Sequence, residues 1–154
     1  MSIVSSKQVH CVWGLVCSLS SIDQERNNIS LFNVVDQINL PGQFFKTSEE
    51  VKPLPFPHEI VTLWRRAIDT SIDNRELSVD VEIALVDPAE KAIQRLLMPL
   101  KFASGSRRTR SRLRTNTVSI TLPGDYIYLI SVVPSDGTEP QPVCRIPLEV
   151  REKK

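Results

Sequence analysis

A chain of 154 residues, 41% apolar and 24% charged, has the composition of an ordinary soluble globular protein and room for one domain with a real core, but hardly for two. Nineteen basic against eighteen acidic side chains give a net charge of +1, which excludes a strongly charged chain but hides an asymmetry: 101–114 carries six positive charges and no negative one, so the remainder sums to −5 (13 − 18). Three cysteines, Cys11, Cys17 and Cys144, are too few and the wrong parity for a disulfide scaffold and suit reduced thiols in the cytoplasm.

The start, MSIVSSKQVHCVWGLVCSLSSIDQE, lacks the basic end, apolar run and small-residue site of a secretory leader, and its apolar run is too short and broken to span a bilayer. It reads instead as a first strand, Gln8 to Leu19, with Cys11, Trp13, Leu15 and Cys17 in one alternating row aimed at a core and Val12 and Val16 on the other face. Asn27–Asn28 is a turn element, and a second strand runs from Ile29 to Leu40. Pro41 and Gly42 end it. The segment from there to Pro57 has no steady period and holds Pro53, Pro55 and Pro57, so a loop is expected. Its apolar groups, Phe44, Phe45, Leu54 and Phe56, serve either to anchor that loop or to offer it to a partner, and anchoring is the more ordinary use.

His58 to Ala67 is a third strand, and 68–76 is a connection with Asp69, Asp73 and Asn74. Leu77 to Asp87 is the cleanest strand: Leu77, Val79, Val81, Ile83 and Leu85 face one way, Ser78, Asp80 and Glu82 the other. Residues 88–98 are in conflict. Asp87-Pro88-Ala89-Glu90 is a good helix start and KAIQRLLM has helix propensity, but Pro99 would stop the helix early. A turn at Pro88–Glu90 followed by a strand to Phe102 fits the sheet-like surroundings slightly better. Thr115 to Leu122, Tyr126 to Val133 and Val143 to Val150 complete the set, with Pro123-Gly124-Asp125 and the region around Gly137 as turns, and 151–154 as a charged tail. Seven or eight strands with short connections and no βαβ alternation predict an all-β, two-layer antiparallel sandwich over 1–150, with a partly closed barrel as the competing architecture.

Five arginines and no acid occupy 107–114, and Arg108, Arg110, Arg112 and Arg114 share one parity, so in a strand they project from one face. That parity conflicts with Val118 and Ile120 facing inward together with Leu113 unless a bulge lies near Thr115–Asn116 or the arginine portion hangs beyond the sheet. The interval between same-face residues, about 6.6–6.8 Å, is comparable to phosphate spacing along an extended backbone. Tyr126 and Tyr128, on one strand face, could add stacking if exposed. Pairing with Asp80, Glu82 or the Glu49–Glu50 loop, an acidic face on a second copy, or simple solvation are the competing uses.

The elements NISLFNVVDQI, FPHEIVTLWRR, VDVEIALVDP, ITLPGDYIYLISVV and CRIPLEV resemble, over most of the chain, an uncharacterised group of small bacterial proteins read as single β-sandwich domains. The resemblance implies the fold and offers neither a function nor catalytic residues; the arginine run departs from it.

Catalytic chemistry finds little support. His10 and Cys11 are adjacent in a strand and so face opposite ways, and His58 reads as structural. Cys11 and Cys17 lack zinc spacing, Asp80 and Glu82 fit a solvated sheet face, and no phosphate-cradling loop or calcium pattern occurs. The expectation is a non-enzymatic interaction or structural module without metal, small-molecule cofactor or membrane association. It would present Arg107, Arg108, Arg110, Arg112 and Arg114, with Phe44 and Phe45, to a protein partner or a second copy; sequence-independent nucleic-acid binding through the arginines is the alternative.

Overall fold

The computed structural model describes residues 9–45, 50–67 and 75–154. Among these, nine strands form two sheets: β1 (Val9–Asp23), β2 (Asn28–Val34), β4 (Lys52–Arg66) and β7 (Arg108–Ile120) in the order β2-β1-β4-β7, and β3 (Gln37–Pro41), β5 (Leu77–Val86), β6 (Ala92–Phe102), β8 (Gly124–Val133) and β9 (Gln141–Lys153) in the order β3-β9-β8-β5-β6. We call them the β2-edged and β3-edged sheets. All pairings are antiparallel except β3 with β9. The connections at 46–49 and 68–74, with Asp69, Asp73 and Asn74, lie outside the described residues.

The β3-edged sheet is built by simple alternation. Val79, Val81, Ile83 and Leu85 of β5, Tyr126, Tyr128, Ile130 and Val132 of β8, and Ile146, Leu148 and Val150 of β9 all enter one core. From β6 come Met98, Leu100 and Phe102. The ambiguous 88–98 segment is therefore a turn followed by a strand. The Asp87 carboxylate holds the turn by accepting from the Ala89 N–H at 3.0 Å and the Lys91 N–H at 2.9 Å, and Glu90 takes φ 63°, which a helix start would not allow. Among the described residues the one short helical element is instead a 3-10 turn at Gly42–Phe45.

Tyr126 and Tyr128 bury their rings and satisfy their hydroxyls differently. Tyr126 donates to the Leu122 carbonyl at 2.6 Å and accepts from the Thr121 N–H at 2.9 Å, which ties the Pro123-Gly124 turn to the strand it starts. Gly124 takes φ 143°, and a Cβ there would stand 2.9 Å from the Pro88 ring. Tyr128 reaches across the core to His58, 2.9 Å from Nε2, while His58 Nδ1 lies 2.6 Å from the Phe56 carbonyl. The carbonyl can only accept, so Nδ1 carries the proton and Nε2 accepts from Tyr128. Burial holds the imidazole below its usual pKa and pushes the phenol above its own.

The β2-edged sheet departs from the sequence reading in three places. The row Cys11, Trp13, Leu15, Cys17 is broken by a register shift between Cys11 and Trp13, so Cys11 and Val16 enter the core while Trp13, Leu15 and Cys17 turn to the opposite face. The single strand expected over Ile29–Leu40 is two: β2 pairs with β1, and after Val35–Asp36 the chain crosses to the other sheet as β3. Pro53 and Pro55 lie within β4, opposite Ser119 and Thr117. There β4 has no partner on its β1 side, since that pairing ends at Cys17–Glu59, so no ladder bond is lost to a proline nitrogen. The expected bulge exists: the register shifts between Pro55 and His58, opposite Thr115–Thr117. At the C-terminus, β9 continues beside β3 to Lys153, with the side chains of 151–154 exposed.

Candidate cationic face

β7 is the free edge of the β2-edged sheet, and its ladder with β4 sets what each arginine meets. Arg114 is opposite Glu59, Arg112 opposite Val61, Arg110 opposite Leu63 and Arg108 opposite Arg65. Directly opposed residues share a face, so the even-numbered arginines lie on the outer side of the sheet, away from the core.

Part of that face is covered. The distal half of β1 and all of β2 form a hairpin, closed by Asp23, whose carboxylate accepts from the Glu25 and Arg26 N–H groups, and by Asn27 at φ 54°. This hairpin lies across the outer face. Ser20 Oγ donates to the Glu59 carboxylate, Arg112 Nη1 is 3.4 Å from both the carbonyl and the hydroxyl of Ser20, and Arg110 Nη2 donates to the Asn27 carbonyl at 3.1 Å. Beneath it Cys17 and Val61 are fully buried, Glu59 and Ser20 nearly so, and Arg110 Nε is sealed from solvent without an acceptor. Burial first, and the Glu59 carboxylate second, push the Cys17 thiol up.

The stripe is therefore graded. At one end Arg114 stands opposite a carboxylate. In the middle Arg112 and Arg110 fasten the hairpin. At the other end Arg108 stands opposite Arg65, and Arg65 is in turn opposite His10 on β1. His10, Arg65, Arg107 and Arg108 are all exposed, and neighbouring strands lie about 4.8 Å apart. Like charges directly opposed repel. Among the described residues the ion pairs are Arg95–Glu82, Lys101–Glu76 and Arg151–Glu149, and no arginine of 107–114 takes part in one. Glu82, offered by sequence as a partner for the stripe, is on the other sheet and paired with Arg95; Asp80 is on that sheet too, and Glu49 lies outside the described residues. Sequence reading missed Arg65 and His10 as companions of Arg108, because strand register alone brings them together. Arg66, their neighbour, points inward: it donates to the Arg75 and Ala103 carbonyls and lies 5.7 Å from the Phe102 ring centre.

Phe44 and Phe45 are half-buried in the 3-10 turn, and Phe45 packs on the core. Lys52 donates to the Phe44 carbonyl at 3.3 Å, and Lys52 is opposite Ile120, at the far end of β7 from Arg108. Twelve residues at about 3.3 Å separate those ends, so the two groups do not form one patch. Tyr126 and Tyr128 are core residues, 0% and 1% exposed, which removes the stacking platform that nucleic-acid binding would have used. The hairpin carries an apolar surface that the sequence did not single out: Leu19 and Phe32, a cross-strand pair, and Val34 beside them are 45%, 50% and 58% exposed.

Among the described residues no group of three or more histidine, cysteine or acidic side chains could hold a metal, and no helix is long and apolar enough to cross a membrane. No protein-family model matches the chain, and no curated protein matches it. Of what the resemblance implied, the sandwich-like fold is present, as two multi-strand sheets packed on one another.

Proposed function

We propose that this protein is a non-enzymatic interaction module whose outer face on the β2-edged sheet takes an acidic, partly apolar protein segment. The observation that carries the reading is the transverse row His10–Arg65–Arg108, with Arg107 beside it, exposed and in no ion pair among the described residues. Opposed cations of this kind are relieved by an anion that bridges them, and arginine's planar fork suits carboxylates held two-pronged. The exposed Leu19, Phe32 and Val34 supply apolar contact on the hairpin that Arg110 and Arg112 hold beside the row. Partner choice then rests on charge complementarity, with the hairpin adding area.

The test is fluorescence anisotropy with two labelled probes, a glutamate-rich peptide carrying leucine and phenylalanine, and a single-stranded oligonucleotide, at about 50 mM and about 200 mM salt. The peptide is expected to bind, to weaken with salt, and to lose about tenfold in affinity in Arg65→Glu/Arg108→Glu, with the fold intact by circular dichroism. Tighter binding of the oligonucleotide than of the peptide, or peptide binding indifferent to the double charge reversal, overturns the proposal.

A further inference from the structure

Cys11 and Cys144 belong to different sheets, yet their thiols meet. Cys11 stands opposite core-facing Trp64 on β4 and donates its S–H to the Trp13 carbonyl at 3.5 Å, and Cys144 stands opposite core-facing Ile130 on β8. Each thiol is the largest single influence on the ionisation of the other, which places the two side chains beside each other. Gly14 leaves the space: a Cβ there would stand 3.3 Å from Cys144 Sγ and 3.0 Å from Ile146 Cδ1. The partners differ in access. Cys11 is buried, whereas Cys144 is half-buried and lines an open surface depression with Pro142, Val143 and Arg145.

The geometry points to a peroxide-responsive thiol pair, with Cys144 the sulfur that is oxidised and Cys11 the sulfur that resolves it into a disulfide joining β1 to β9. Thiol oxidation selects the sulfur that is more accessible and more often thiolate, and becomes reversible when a second thiol stands beside it. Both conditions select Cys144. The neighbouring Cys11 holds the Cys144 thiol down at about 7, against about 8.5 for a free cysteine, and the same contact raises Cys11.

In the first step the Cys144 thiolate attacks hydrogen peroxide. An S–O bond forms, the O–O bond breaks, sulfur loses two electrons, and the departing hydroxide takes a proton to become water. In the second, the Cys11 sulfur attacks the sulfenic sulfur; an S–S bond forms, the S–O bond breaks, and hydroxide leaves as water with the proton from Cys11. Two thiols and one peroxide give one disulfide and two waters, and a small dithiol reverses the change. Cys17, buried beneath the hairpin with its thiol pushed up, is an internal control.

The experiment treats the full chain with equimolar hydrogen peroxide at neutral pH and maps peptides without reduction. The expected product is the intramolecular Cys11–Cys144 disulfide with Cys17 free, and in Cys11→Ser a dimedone adduct on Cys144. Alkylation of Cys144 by iodoacetamide should rise with pH about a midpoint near 7. A disulfide through Cys17, a purely intermolecular product, or a Cys144 that peroxide and dimedone leave unmodified overturns the inference.

Discussion

The two sheets use the same residue types and follow different rules. In the β3-edged sheet alternate side chains of β5, β8 and β9 enter the core, while the opposite face is mixed, with Ser78, Asp80 and Asp125 exposed and Ala84 and Ser131 buried. In the β2-edged sheet both faces of β1 and β4 are needed: one meets the core, and the other lies under the folded-over hairpin, where Cys17, Val61 and Glu59 are buried. Register shifts occur in both sheets, but the one in β1 falls within the apolar row and re-aims Trp13, Leu15 and Cys17, whereas those at Leu85–Val86 and Ile130–Ser131 fall near the ends of their paired runs.

The comparison breaks most forcibly in the β3-edged sheet, where a fault in the core has no second layer to absorb it. Ile83→Ala, at the centre of β5, is expected to cost about 2–5 kcal/mol by urea denaturation. A loss below about 1 kcal/mol would mean that the core is not packed as described.

A smaller effect belongs to the pair that joins the sheets. Tyr128→Phe removes the donor to His58 Nε2 and is expected to cost about 1–3 kcal/mol. The same histidine gives a pH dependence with a definite sign. Its folded pKa lies below the ordinary 6.5, so the unfolded chain takes up the proton first. Stability is therefore full above about pH 6.5 and falls as pH drops toward the folded value. Urea melts across that range should show the slope in the native sequence and lose that part of it in His58→Leu.

The same contrast sets what was legible in the sequence. The core row of β5, and Ile146, Leu148 and Val150 of β9, follow from periodicity, whereas the common face of Tyr126 and Tyr128 on β8 was legible but its burial was not. The turn at Asp87–Glu90 was readable only by a narrow margin over a helix start, since its capping chemistry serves a helix and a tight turn alike. The β2-edged sheet was read least well. Nothing local marks that β1 shifts register after Cys11, or that Val35–Asp36 carries the chain from one sheet to the other. Prolines 53 and 55 read as loop because the free side of β4 depends on where β1 departs. The arginine stripe was visible as a parity pattern, but its companions Arg65 and His10, and its division between fastening and exposed members, are properties of pairing between strands distant in sequence.

That division is the central claim, and thermal melting of two double variants tests it most directly. Arg110→Ala/Arg112→Ala removes the side chains bonded to Asn27 and Ser20 and should lower the midpoint, by about 2–4 °C for each kcal/mol lost. Arg65→Ala/Arg108→Ala removes an opposed pair of like charges and should leave the midpoint unchanged or raise it slightly. Equal losses in the two variants, or a larger loss in the second, would contradict a stripe that is fastened in its middle and free at its Arg108 end.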